Sequence, residues 1–414
     1  MISAYESRGL FFYPFISITP NYSTIFYRCE NHNYHKVSDN SKNNLLSNKQ
    51  FGFLSEISKT KIRKAVNLLL YISPDKYTGI VATKKDFKYK ITFITLTLPA
   101  QQIHPDTEIT QKCLHDFLNI LRNNYGMQHY VWKAEKQKNG NIHYHITTNI
   151  YVHWSNVREE WIKCIKPLGY IETYQKNQNE YHCGGFKVRN ELLHNWSYEA
   201  QKSAYEYGRK TNWQSPNCTD IHSVINIKDL AAYISEYFTK QPLEAEDLIT
   251  YQNAINSIRQ AERYIKIHTE TLANPQELTE NYINQIKEVI ENNQIIISNQ
   301  NIIIEKYKHL FIQGRVWFLS RSLSNVKVTL DLDNTIFAQE ISNYCQANEK
   351  KVKHSDRFSV ICANINELKT NGCTETFKEY NTSIWQQIET TETNQANSTV
   401  RAASRQANPE KKAR

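Results

Sequence analysis

The eight cysteines of this 414-residue chain (Cys29, Cys113, Cys164, Cys183, Cys218, Cys345, Cys362 and Cys373) are scattered, and no two lie two to four residues apart. That spacing writes neither a zinc finger nor a redox-active pair, and reduced thiols in a cytosolic protein are the simplest account. No charged-then-apolar leader opens the chain, and no apolar run approaches the roughly 20 residues that span a membrane. A phosphate-binding loop of the GxxxxGKS or GxxxxGKT type is missing throughout, so an ATP-driven motor of that class is excluded.

What is present is a basic, aromatic chain. Hydrophobic residues make up 40% and aromatics 12%, with 26 tyrosines, enough for a sizeable core. Fifty Lys and Arg against 41 Asp and Glu leave a formal charge of +9 and a pI near 8.9. Such a surplus suits a polyanion, because cations that neutralise phosphates release condensed counterions. A merely soluble basic protein is the plain alternative. At about 150 residues per domain, the length allows two or three domains.

Residues 1–50, rich in Asn, Ser and Tyr without a sustained period, read as a loosely ordered lead-in. A basic helix follows, with Ile57, Ile62, Val66 and Leu69 as its apolar stripe beside Lys59, Lys61, Arg63 and Lys64. The β-branched run Ile91–Leu98 reads as a strand closed by Pro99. Asp106 is placed to cap a helix carrying Ile109, Cys113, Phe117 and Leu121 and ending near Gly126. Strands are expected over Gln128–Glu135 and Ile142–Ile150, joined by a hairpin at Asn139-Gly140. Residues 154–168 read as helix, 170–218 as a polar, irregular insertion, Thr219–Ile227 as strand and Lys228–Lys240 as helix. This order predicts an antiparallel α+β domain over 86–243, with a central sheet and flanking helices.

Residues 247–312 are helical by pattern, divided by Asn274-Pro275 with Glu277, an N-cap, first-turn proline and capping-box acid. The repeat of Ile295–Ile297 as Ile302–Ile304 predicts one buried seam of a helical hairpin. Gly314 opens a further strand at Arg315–Leu319, which with the hairpin makes a unit over 244–330. A small C-terminal region over 331–389 and a disordered basic tail over 390–414, with Arg401, Arg405, Lys411, Lys412 and Arg414, complete the expected organisation.

Two constellations carry chemistry. In His143-Tyr144-His145 a strand's two-residue period turns both imidazoles to one face, where they suit one metal ion. Two structural histidines are the other reading. Glu135, on the preceding strand, is a third ligand only if the turn allows it. A two-residue turn at Asn139-Gly140 pairs Ala134 with His145 and puts Glu135 on the far face. A three-residue loop over Asn139–Asn141, with its bulge, pairs Glu135 with His145 on one face, and this is the version expected. The His-His-Glu set is compatible with Mn²⁺ or Mg²⁺, and also with Zn²⁺.

The second is Tyr233-Ile-Ser-Glu-Tyr237-Phe-Thr-Lys240. At about 100° per residue, Tyr233, Tyr237 and Lys240 fall on one narrow helical stripe, although tyrosines at this spacing also commonly edge a core. Together the two sets suggest one reaction. A phenol is a poor nucleophile at its free pKa of about 10, but a metal that withdraws charge from a phosphodiester makes it competent. A lysine one turn away stabilises the phenolate.

These motifs, in this order, resemble the HUH endonuclease superfamily, in particular the two-tyrosine replication initiators of bacterial plasmids and small circular single-stranded DNA phages. Phe93–Pro99 is similar to the family's first motif, and Glu135 with Gly140 and Ile142–Ile146 to its metal motif, with Tyr144 where an aliphatic residue is usual. Tyr233–Lys240 resembles its nucleophile helix, and Thr219–Ser223 and Gly314–Trp317 look like plasmid-type members. The resemblance covers about 90–330 and implies metal-dependent nicking of single-stranded origin DNA in a bacterial cytoplasm, with Glu135, His143 and His145 as metal ligands. It implies Tyr237 and Tyr233 as alternating nucleophiles, Tyr237 ranked first, with Lys240 beside them. A host helicase and polymerase are the implied partners. A mobilisation relaxase, a water-using metal phosphoesterase and a non-catalytic origin binder are the competing readings.

Overall fold

The computed structural model describes residues 4–7, 10–29, 54, 56–80, 85–223, 245–273, 279–308, 310–333, 335–355 and 358–406. Two large antiparallel sheets organise them, beside a two-stranded one of β4 (Lys76–Ile80) and β5 (Lys85–Tyr89). The first contains β6 (Thr92–Leu96), β7 (Tyr130–Lys136), β8 (Ile142–Thr148), β9 (Thr219–Ser223) and β10 (Trp317–Leu319), in the spatial order β10-β7-β8-β6-β9. The strands expected around the hairpin are therefore present, and the Gly314 segment returns to pair β10 with β7. Tyr130, Trp132, Tyr144 and Ile146 turn to one face. There they pack with Phe117 of α2 (His115–Tyr125) and Trp161 of α3 (Trp154–Ile165). Gly126, in the left-handed region at φ 71°, ends α2 as expected.

The lead-in expected over residues 1–50 is instead, where described, three strands: β1 (Tyr5–Ser7), β2 (Leu10–Ile18) and β3 (Ser23–Cys29). They join β11 (Val328–Asp331), β12 (Val352–His354) and β13 (Phe358–Ile361) in the second sheet. Val328 pairs with Ile18 and Phe358 with Phe26, so partners more than 300 residues apart complete these strands. The basic helix, α1 (Glu56–Ile72), buries Ile62, Val66 and Leu69 in a core with Ile16, Ile341 and Ile384 while Ile57 stays exposed. Val131 and Leu319 of the first sheet belong to that core, so α1 covers one end of their face.

The segment 170–218 is helical rather than irregular: α4 (Tyr170–Tyr181) and α5 (Tyr198–Thr211) close on an aromatic cluster of His182, Phe186, Tyr205 and Trp213. The helical hairpin is α6 (Ala245–Leu272) and α7 (Glu280–Lys308), with Asn274-Pro275 and Glu277 outside the described residues. Of the isoleucine triplets, Ile297, Ile303 and Ile304 turn inward, whereas Ile295, Ile296 and Ile302 are exposed. α8 (Ile336–Ala347), α9 (Ile365–Thr370) and α10 (Thr374–Gln406) follow. α10 carries the backbone through the first part of the expected tail, and 407–414 lie outside the described residues. All eight cysteines are free, and among the described residues no helix is long and apolar enough to cross a membrane.

Candidate metal centre

The β7–β8 turn decides which face Glu135 occupies. Gln137 N–H donates to the Asn141 carbonyl and Gly140 N–H to the Gln137 carbonyl, both at 2.8 Å. Gly140 sits at φ 83°, the left-handed position that a three-residue loop with a bulge requires. The loop is thus of the expected kind but occupies Lys138–Gly140, one residue earlier than expected. Glu135 consequently pairs with His143, not His145, and Lys133 pairs with His145. Moving a three-residue loop by one position slips the register by two, and a two-residue slip keeps every side chain on its face. Glu135 therefore remains beside both histidines. Asn141 anchors the turn: its buried amide donates to the Ala100 carbonyl at 2.8 Å and accepts from Gln102 N–H at 2.8 Å.

The three groups converge. His145 Nε2 lies 2.7 Å from His143 Nε2, and Glu135 Oε2 lies 3.4 Å and 3.6 Å from the Nε2 atoms of His143 and His145 in turn. One ligand atom from each falls within 4.8 Å of the others. His145 Nδ1 meets Thr95 Oγ1 at 3.2 Å and its ring stacks on Phe93, with centroids 5.3 Å apart. With its second nitrogen so engaged, Nε2 is the atom left to ligate. His143 Nδ1 is buried with no hydrogen-bond partner among the described residues. Two imidazole nitrogens and a carboxylate, converging from rigid strands, fit a divalent cation.

Lys133 escaped the sequence reading, although it lies two residues before Glu135 and must share its face. Its buried ammonium donates to Glu135 Oε1 at 2.5 Å. Burial works against ionisation of Glu135, but hydrogen bonds from His143 and His145 and the charge of Lys133 outweigh it and hold the carboxyl well below its usual range. Burial likewise pushes His145 down, against the pull of Glu135, which favours the neutral ring that a metal needs.

Tyr144 points the other way. Its ring is buried edge-on to Trp132 and Trp161, its hydroxyl meets Thr110 Oγ1 at 2.8 Å, and burial pushes the phenol well above its ordinary value. It is a core residue and no nucleophile. Asp106 is not the cap: Pro105 precedes the helix, without a side-chain cap bond. The buried Asp106 carboxylate instead accepts from Gln102 Nε2 (2.7 Å), Lys136 Nζ (2.6 Å) and Gln313 N–H (3.0 Å), tying the hairpin to the segment that leads into β10. Asp220, across β6 from the histidines, pairs in register with Thr95. Tyr233, Tyr237 and Lys240 lie outside the described residues.

Residues 91–242 match the family model of the ORF2-type replication-associated proteins, a span that runs from β6 past β9 and includes both tyrosine positions. No curated protein and no solved structure matches the chain.

Proposed function

We propose that this protein initiates rolling-circle replication by nicking single-stranded origin DNA with a tyrosine. The carrying observation is the convergence of Glu135, His143 and His145 on one sheet face, with one ligand atom of each within 4.8 Å of the others. The replication-associated match across 91–242 supports the reading, because it takes in this cluster and the tyrosine segment in one family span.

Mn²⁺ or Mg²⁺ bound by these three residues would supply a Lewis acid that withdraws charge from a phosphate oxygen. Thr95 keeps His145 oriented, and Lys133 balances the charge of Glu135. The phenol oxygen of Tyr237 attacks phosphorus as Lys240 stabilises the phenolate. A phosphorus–tyrosine bond forms, the bond to the 3′ oxygen breaks, and that oxygen leaves with a proton as a free 3′-OH for a host polymerase. The DNA stays joined through its 5′ phosphate. At termination Tyr233 makes the second transfer, and the released 3′-OH of the displaced strand closes the circle by the reverse step. Duplex unwinding falls to a host helicase, since the sequence has no phosphate-binding loop of the common motor type.

The test is end-labelled single-stranded DNA from the replicon's own origin, incubated with Mn²⁺ and run on a denaturing protein gel. A covalent band that disappears in His143→Ala/His145→Ala and is reduced in Tyr237→Phe or Tyr233→Phe supports the reading. Cleavage without a covalent band contradicts it and indicates a water-using phosphoesterase.

A further inference from the structure

The reverse face of the first sheet carries a groove. Side chains alternate along β7, so Lys133 and Glu135 face the metal cluster while Tyr130 and Trp132 face away from it. On that far side a cavity of about 1170 Å³ opens between α2 and the edge strand β10. Three arginines from separate parts of the chain line it: Arg122 of α2, Arg315 just before β10 and Arg321 just after it. All three are exposed, and none pairs with a carboxylate among the described residues. Glu392 is the one carboxylate in the lining.

Charge alone would fit any anion, and the rest of the lining narrows the class. The Arg315 guanidinium lies over the Phe318 ring, 5.3 Å from its centroid, and Phe318 stacks in turn on Trp132. Arg122 donates to Asn119 Oδ1 at 2.6 Å, and Asn123 lies in the same wall. Guanidiniums for phosphates, a partly exposed aromatic ring and carboxamides with both donors and acceptors are what unpaired nucleotides use. The Phe318 ring is partly buried in the wall between the helix and the strand, so a base reaches it only where no partner strand covers that base.

We propose that this groove holds a single strand of DNA on the face opposite the metal cluster. The site is separate from the nicking centre, and needs neither metal nor tyrosine. It would keep a second stretch of the same strand on the protein while the metal face works.

The experiment measures anisotropy of a short fluorescein-labelled single strand of random sequence, with the full chain in EDTA, over a series of salt concentrations. Each arginine that neutralises a phosphate contributes about 0.7 to the slope of log K against log salt on single strands. Arg122→Ala/Arg315→Ala/Arg321→Ala should therefore flatten the slope by about 2. The corresponding triple lysine variant should restore it, because it keeps the charges. A wild-type slope in the alanine triple overturns the proposal, as does an equal loss in both triples. So does a change confined to a hairpin duplex probe. Since EDTA removes nicking from the assay, absence of a covalent adduct in the earlier experiment would sink the nicking reading and leave this one standing, and the reverse holds as well.

Discussion

Asp106→Ala takes one carboxylate away from three donors. The side chain is almost fully buried, its partner Lys136 is 11% exposed, and the pair is 2.6 Å apart. Deleting one member of such a pair strands the other charge and costs about 3–5 kcal/mol. Lys136→Met in the same chain removes the stranded charge, so the double variant should regain part of that loss. It should not reach wild type. The Gln313 N–H still lacks its acceptor and Gln102 Nε2 is left with the His104 carbonyl alone, each lost hydrogen bond being worth about 0.5–1.5 kcal/mol. Urea unfolding followed by the fluorescence of the buried Trp132 and Trp161 reads the wild type and both variants. A single variant costing less than about 1 kcal/mol, or a double no more stable than the single, would refute the view that Asp106 joins the hairpin to the β10 segment as a buried ion pair.

Thr95→Val keeps the shape of the side chain but removes the hydroxyl that meets His145 Nδ1, and Mn²⁺ affinity by calorimetry should fall about 10- to 100-fold, whereas unchanged affinity would show that Thr95 does not orient the ring. Gly140→Ala puts a Cβ at φ 83° and should cost about 1–2 kcal/mol in urea unfolding, and a neutral outcome would mean the turn is not held in that conformation. Burial holds the His129 imidazole at about 4, and Glu392, 3.5 Å away but 41% exposed, is too well solvated to reverse this. Because the folded value lies below the free value of about 6.5, the unfolded chain takes up a proton first, and stability present above that pH is lost as pH falls toward 4. The slope reaches at most about 1.4 kcal/mol per pH unit, and His129→Gln should flatten it between those limits.

What was legible in the sequence is what local pattern controls. The two-residue period of Ile142–Ile146 placed His143 and His145 together, and the turn chemistry of Asn139-Gly140 kept Glu135 with them even though the loop sits one residue earlier than expected. Lys133 is legible by the same period, two residues before Glu135 on its strand. Non-local structure was not legible. β2 and β3 pair with each other, but the strands on their other edges, Val328–Asp331 and Phe358–Ile361, arrive more than 300 residues later. Residues 170–218 hid two helices because their core is a stack of His182, Phe186, Tyr205 and Trp213 rather than an aliphatic stripe. The arginine groove is not legible at all, since Arg122 and Arg315 come to line one cavity only when β10 pairs with β7.

On the proposed function, a tyrosine of the 233–240 segment becomes covalently joined to DNA in a metal-dependent reaction. The most direct test of this is mass spectrometry of the protein after reaction with origin single strand and Mn²⁺, nuclease trimming and trypsin. Cleavage after Lys228 and Lys240 releases a single peptide, Asp229–Lys240, that holds both Tyr233 and Tyr237. The expected result is a nucleotide 5′-phosphate mass on that peptide, fragmenting to Tyr237 or Tyr233, and its absence in EDTA or in His143→Ala/His145→Ala. Cut DNA with the peptide unmodified, or the mass on any other residue, would contradict it.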